Sequence, residues 1–397
     1  MTTFPDDPIA AVTHADPYPY YADLVARKPL YRDAALRLWV ASSADAVTAV
    51  LTSDLCRVRP PTEPVPAALR GTPTGDIFQH LVRFNDGEGH CPFKGAVSAA
   101  LGVIAATRAV ERSGRWAHLL SDEIEPTHDP ARLSRFAFHL PIYVAASLLG
   151  IPDDLLPRTA AWAGDFAHCL APGSRPAQVA RGTVAAGHLL AMFRGLTPVL
   201  MDESADNLLA ILAREAGRVG RDDADTIVAN GIGFLFQAYD ATAGLIGNTF
   251  LALASHPEVH AQVIADPTLL PDVIEEVLRY DPPTQNTRRF LACDGVIAGK
   301  EMNEGDAILV VLAAASRDPS ANPHPDRFDI SRADRRLFAF GAGVHACPGE
   351  SLAATIARAA IAQLLASGAD PRRLAMPAVY RPSHNVRIAL SPMGGGE

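Results

Sequence analysis

The sequence predicts a mainly α protein with small β-sheets at its margin. Helical patterning dominates from residue 18 to 367, extended patterning is confined to two stretches, and strands do not alternate with helices. The last point excludes a doubly wound α/β fold. Helices are expected over 18–27, 43–52, 105–122, 135–149, 153–168, 175–195, 205–217, 223–254, 256–264, 270–280 and 350–367. Asp206 and Asn207 precede LLAILARE, and Asp222 and Asp223 precede a long apolar run. Acids and amides there cap a helix start and complement its dipole. Residues 296–315 (VIAGKEMNEGDAILVVLAAA) read as two strands joined by a turn, with Gly299 and Gly305 as breakers. Residues 29–40 (PLYRDAALRLWV) read as a second hairpin, and 57–74 (VRPPTEPVPAALRGTPTG) as a long loop.

The chain has 397 residues, 48% hydrophobic and 20% charged, enough to build a substantial core. Disorder, collagen-like repeats and a disulfide scaffold are excluded. No linker or repeat interrupts it, so one domain over 1–397 is expected. Lys and Arg total 35 against 44 Asp and Glu, a net charge of −9, which argues against nucleic acid. The N-terminal stretch MTTFPDDPIAAVTHADPYPYYADL has neither the basic nor the apolar region of a signal peptide. No run reaches the ~18 apolar residues that span a bilayer; the longest apolar segment carries Asn230, Gln237, Asp240 and Asn248. A cytoplasmic protein without membrane contact is expected. Cys56, Cys91, Cys169, Cys293 and Cys347 are odd in number and lack short spacings, as in a reducing compartment.

Residues 338–350, FAFGAGVHACPGE, place three glycines and a proline around Cys347, and an apolar helix pattern follows. Unpaired N–H groups at a helix start favour an anion, so thiolate forms more readily there. Gly341, Gly343 and Gly349 let backbone come close to the sulfur or to a flat ligand above it. Such a loop suits a thiolate that ligates a metal. GAGVHA also matches G-x-G-x-x-A, but that dinucleotide fingerprint needs a βαβ unit and an acid about 20 residues on, where this chain is apolar or has Gln363. A buried structural Cys would leave the three glycines unexplained. Zinc lacks support, since neither CxxC nor HExxH occurs.

Phe340–Gly349, FGAGVHACPG, resembles the haem-binding loop of the cytochrome P450 family, F-x-x-G-x-x-x-C-x-G, with every fixed position met. The resemblance implies the P450 fold, with haem b sandwiched between a long distal helix and the helix after the Cys loop. It makes Cys347 the iron ligand, with Phe340, Gly341 and Gly349 shaping the loop. A thiolate axial ligand pushes electron density onto the iron. Glu276 and Arg279 match the family's E-x-x-R, and PDRF (325–328) resembles its P-E-R-F box, which implies a structural triad of Glu276, Arg279 and Arg327. ASRDP (315–319) matches the family's A-N-R-D-P. For the haem propionates, which need cationic partners, the resemblance implies Arg289 (with its neighbour Arg288 as the alternative), His345, and His90 with Lys94. The last two stand at i,i+4, on one side of a helix. Leu337 departs from the pattern, because many relatives carry His there.

GIGFLFQAYDATAGLIGNTFLAL resembles the family's distal helix, commonly A-G-x-E/D-T-T. The register is Gln237-Ala238-Tyr239-Asp240-Ala241-Thr242: the acid is present, but Ala241 stands where most members have Thr. That hydroxyl usually organises proton delivery, which needs a donor within hydrogen-bond reach or one water away. Thr242 is turned about 100° from position 241. Either the substrate supplies the hydroxyl, or Gln237 and Asp240 order a water, or the chemistry is not ordinary hydroxylation. The resemblance also implies a substrate pocket containing Ile77, Phe78, Phe166, Phe234, Ala238, Pro283 and Gln285.

These readings imply a monomeric haem-thiolate monooxygenase that acts on a small organic, secondary-metabolite substrate. Ferredoxin and a ferredoxin reductase would be its electron donors. The alternatives are atypical chemistry (oxidative coupling, nitration or peroxide-driven oxidation) and a non-catalytic haem-binding protein.

Overall fold

The computed structural model describes residues 4–390 except 88–89, 105–106, 172, 201, 203–204 and 376–377. The start of the helix expected over 105–122 lies outside the described residues. The chain forms two compact units. The first takes the residues up to 62, 244–347 and those from 369 on; the second takes 63–243 and 348–368. Each is assembled from separate stretches, so no single linker divides them.

The first unit holds β1 (Leu30–Asp33), β2 (Leu38–Ala41), β3 (Cys56–Arg57), β4 (Thr287–Leu291), β5 (Gly295–Ile297), β6 (Lys300–Met302), β7 (Ala307–Val310), β8 (Val379–Tyr380) and β9 (Ala389–Leu390). β1 and β2 make the antiparallel hairpin expected over 29–40. They lead into a five-stranded sheet of order β1-β2-β7-β4-β3, in which β7 lies parallel to β2 and antiparallel to β4.

The expectation for 296–315 needs correction. The hairpin closes earlier, between β5 and β6, around Ala298 and Gly299, while β7 joins the larger sheet and Leu312–Ser316 is a short helix. The cause is burial on two sides. Ile308 and Val310 pack with Val47 and Val50 of the helix Ala44–Leu51. Leu309 and Val311 pack with Tyr21 and Leu24 of the helix Tyr18–Arg27. A strand covered on both faces reads as an unbroken apolar run, without the alternation that would separate it from its neighbours. A buried arginine fastens the same unit: Arg387 donates to the carbonyls of Val12, His14 and Ala15 and pairs with Asp281 at 3.0 Å.

The second unit is helical, with no strand among its described residues. Asn207 caps Leu208–Arg218 by accepting from the Ala210 N–H at 2.9 Å, and Asp129 caps Pro130–Leu148 by accepting from Arg132 N–H at 2.9 Å. Asp223 accepts from the Thr226 N–H at the start of the long helix Ala224–Ser255, as its acidic start implied. The helix Glu350–Ala366 packs on Thr107–Ile124 and Pro130–Leu148. Leu156–Leu170 and Pro176–Leu200 pack as a pair. Two helices were not expected from patterning, Pro73–His80 inside and beyond the predicted loop and Cys91–Ile104. The second begins in the turn after His90. Among the described residues no single helix is long and apolar enough to cross a membrane.

Candidate haem-thiolate site

In the first unit the loop from Phe338 to Cys347 is built by three backbone bonds. Gly341 N–H donates to Phe338 O at 2.9 Å, Ala346 N–H to Gly343 O at 3.0 Å, and Cys347 N–H to Phe340 O at 2.8 Å. Phe338 anchors the loop in the core shared with Leu51 and Leu312. Gly343 is required on two counts: its φ is +68°, and a Cβ there would stand 2.8 Å from the Leu51 carbonyl oxygen. Gly343→Ala should therefore cost about 1–3 kcal/mol of stability, measured as a lowered urea midpoint at unchanged m. The Cys347 thiol is exposed at the end of this loop, just before the helix Glu350–Ala366 with its N-cap at Gly349. Cys56 and Cys169 are buried, and burial pushes the Cys169 thiol up. His345 closes the short turn Gly343–His345 and is half-buried.

Glu276 and Arg279 lie on one face of the helix Leu270–Tyr280 and are both 0% exposed. Arg279 Nη2 donates to Glu276 Oε1 at 2.7 Å and Nε to Oε2 at 3.0 Å, a bidentate pair. The expected third member enters differently. Arg327 offers its backbone carbonyl to Arg279 at 2.9 Å, while its guanidinium is 73% exposed and faces Asp329. Further cations against Glu276 are Arg335, whose Nε lies 3.3 Å from Oε2, and Arg332, whose Nε lies 3.8 Å from it. Sequence reasoning missed both, since neither belongs to a motif.

β4 separates Arg288 from Arg289. Successive strand residues face opposite sides, and here Arg289 is 7% exposed while Arg288 faces solvent. Of the two, Arg289 is thus the buried guanidinium. Gln285 and Pro283, expected in the substrate pocket, are both buried in the first unit. The Gln285 amide is fully buried and committed: Oε1 accepts from Tyr21 OH at 3.1 Å, and Nε2 donates to Pro282 O at 2.7 Å. Pro283 is buried, with its Cβ in the space that Gly244 leaves.

In the second unit His90 is 1% exposed, and Lys94 N–H donates to His90 O at 2.8 Å, one turn into the helix Cys91–Ile104. The two residues thus share a helix side as their spacing implied. Ile77 and Phe166 are fully buried; Phe166 meets Phe236 edge-on at 5.3 Å. Phe78 stacks on Phe84 at 4.4 Å in a cluster with Leu69 and Cys169. These three are buried, whereas Phe234 and Ala238 are half-buried on the long helix.

On that helix the turn Gln237–Ala241 is half-buried throughout, whereas the segments on either side, 227–233 and 242–246, are buried. Thr242 is among the buried residues, so its hydroxyl does not occupy the face of Ala241. Gln237 donates from Nε2 to Gly233 O at 2.8 Å, toward the N-terminus and away from Asp240. Among the described residues no three His, Cys, Asp or Glu side chains converge as metal ligands.

The sequence profile of the cytochrome P450 family matches residues 201–367. 6-Deoxyerythronolide B hydroxylase of Saccharopolyspora erythraea is 30% identical over 364 residues, 89% of this chain and 88% of the relative. The chain belongs to the cytochrome P450 family. Two solved P450-like structures agree. CalO2 has a TM-score of 0.81 at 27% identity and covers 98% of each chain. P450BioI, solved with a fatty-acid-ligated acyl carrier protein, has 0.80 at 26% identity, covering 94% of this chain and 96% of that one.

As a P450, the protein is an oxidoreductase with haem b as its cofactor. The residues present fit that group. A soft sulfur donor is exposed at the end of a braced loop, as an iron ligand must be. Arg289 is a buried guanidinium, suited to a carboxylate.

Proposed function

We propose that this P450 is a haem-thiolate monooxygenase that oxidises a small organic molecule of secondary metabolism, with Cys347 as the iron ligand. His90, Lys94, Arg289 and His345 grip the propionates. Bound haem supplies the redox chemistry, placing one oxygen atom of dioxygen in the substrate with electrons from outside. Ferredoxin and a ferredoxin reductase deliver those electrons to a cytoplasmic monomer of one catalytic domain. The observation that carries the reading is the Cys347 loop, an exposed thiol at the end of a glycine-shaped turn closed by Cys347 N–H to Phe340 O at 2.8 Å.

The chain's own groups determine how protons reach the reacting centre. Ala241 offers no donor, Thr242 is buried, and Gln237 is tied back to Gly233. Asp240 is the carboxylic acid on this turn. This arrangement favours a substrate hydroxyl at the place of the absent threonine over a water ordered by Gln237 and Asp240. Ala241→Thr then fills space that the substrate uses. It should weaken substrate binding about tenfold and lower the yield of product per electron consumed. Unchanged affinity and coupling would reject a special role for this position. The reading as a whole is tested by turnover: product forms with NADPH, ferredoxin and reductase. Turnover with peroxide alone and none with the redox partners would favour the atypical chemistry.

A further inference from the structure

We infer that Gln237 determines specificity by presenting a fixed hydrogen-bond acceptor to a substrate that carries a hydroxyl or N–H donor. The inference rests on the reading that the half-buried turn Gln237–Ala241 faces bound substrate.

A carboxamide on a helix surface is ordinarily free to rotate and offers either end. Here it is not free. Nε2 donates to the Gly233 carbonyl at 2.8 Å. A carbonyl only accepts, so the NH2 group must be the end turned toward it and Oε1 the opposite end. The seat is specific to glycine: a Cβ at 233 would stand 3.3 Å from Nε2 and 2.9 Å from Leu81 Cδ2. Leu81 is fully buried and closes the other side of that space. Oε1 receives no hydrogen bond from any described residue, and Gln237 is half-buried rather than enclosed.

The resembled motif places Ala where this chain has Gln237, and Thr where it has Ala241. The two positions are four residues apart and share a helix face. The turn has thus lost a donor hydroxyl at one end and gained a fixed acceptor at the other. A ligand with a donor group over the Gly233–Gln237 turn satisfies that acceptor; an apolar ligand desolvates it without return.

The test uses the haem-loaded protein and 4-phenylimidazole, its ortho-, meta- and para-hydroxyphenyl isomers, and the methoxy analogue of each. Imidazole binding to the iron shifts the Soret band and gives Kd without turnover. At least one phenol isomer should bind the wild type more tightly than its methoxy partner, by about three- to tenfold beyond the ratio in Gln237→Leu. Gly233→Ala keeps the acceptor but unseats it, and should lose most of the same preference. An unchanged phenol-to-methoxy ratio across all isomers in Gln237→Leu overturns the inference. Absence of any Soret shift with every imidazole in the wild type would instead overturn the haem-site reading on which it rests, so the two failures are distinguishable.

Discussion

Cys347→Ser abolishes the thiolate signature of the carbon-monoxide complex of the reduced protein, and substrate oxidation falls to background. The expectation follows from chemistry and from the loop. A hydroxyl is a poor donor to iron and does not push electron density onto it as thiolate does. The loop itself should survive the change, because its shape comes from backbone bonds at Gly341, Ala346 and Cys347 and from Phe338 in the core, none of which uses the sulfur. A folded variant without the thiolate spectrum is therefore the predicted outcome. Two controls sharpen it. Cys91→Ser and Cys293→Ser remove the other exposed thiols and should leave the spectrum unchanged. A Cys347→Ser protein with the wild-type spectrum would remove the central assignment.

Arg279→Leu should destabilise the protein by about 3–5 kcal/mol, the loss typical when one member of a buried ion pair is removed. Glu276 would be left in the interior with Arg335 as its nearest remaining cation. The carbonyls of Pro325 and Arg327 would also lose their donor. Glu276→Gln should be milder, because an amide keeps one acceptor for Arg279 and for the Asp329 N–H that donates to Oε1 at 2.8 Å. Urea unfolding of the two variants, and of Glu276→Leu/Arg279→Leu together, measures the coupling. The double variant should cost clearly less than the sum of its parts. Strict additivity would show that the pair is not energetically linked. Arg327→Ala, by contrast, should change stability by less than about 0.5 kcal/mol, since its side chain is at the surface and its contribution to Arg279 is a backbone carbonyl.

What could be read from the sequence was what is local. The Cys loop is shaped by bonds spanning a few residues, so its glycines and cysteine carry their geometry with them. Glu276 and Arg279 stand one turn apart, and His90 and Lys94 a turn apart, so spacing alone places each pair on a helix side. The distinction between Arg288 and Arg289 needed the register of β4, which depends on β7. Gln285 was implied as a pocket residue by the resemblance, and its near bond is to Pro282 O. Its other partner, Tyr21, lies 264 positions earlier and could not be read locally. The same holds for β7: its apolar run gave no alternation, since both its faces are covered by helices from the first fifty residues. Gln237 was legible as a residue that could order a water, but the bond that fixes its amide was not.

The parallel pairing of β2 with β7 and the grip of Arg387 on Val12, His14 and Ala15 join chain segments made far apart in time. On the ribosome the helices of 63–243 emerge early and contact near neighbours in the chain. The N-terminal hairpin emerges before them, yet its partner strand appears some 270 residues later and its clasp later still. Loop-closure entropy over such a span is met only when the partner exists. Residues 12–41 are thus fixed only after their partners at 308–310 and at Arg387 have been made, and Arg387 follows the Cys347 loop in the chain.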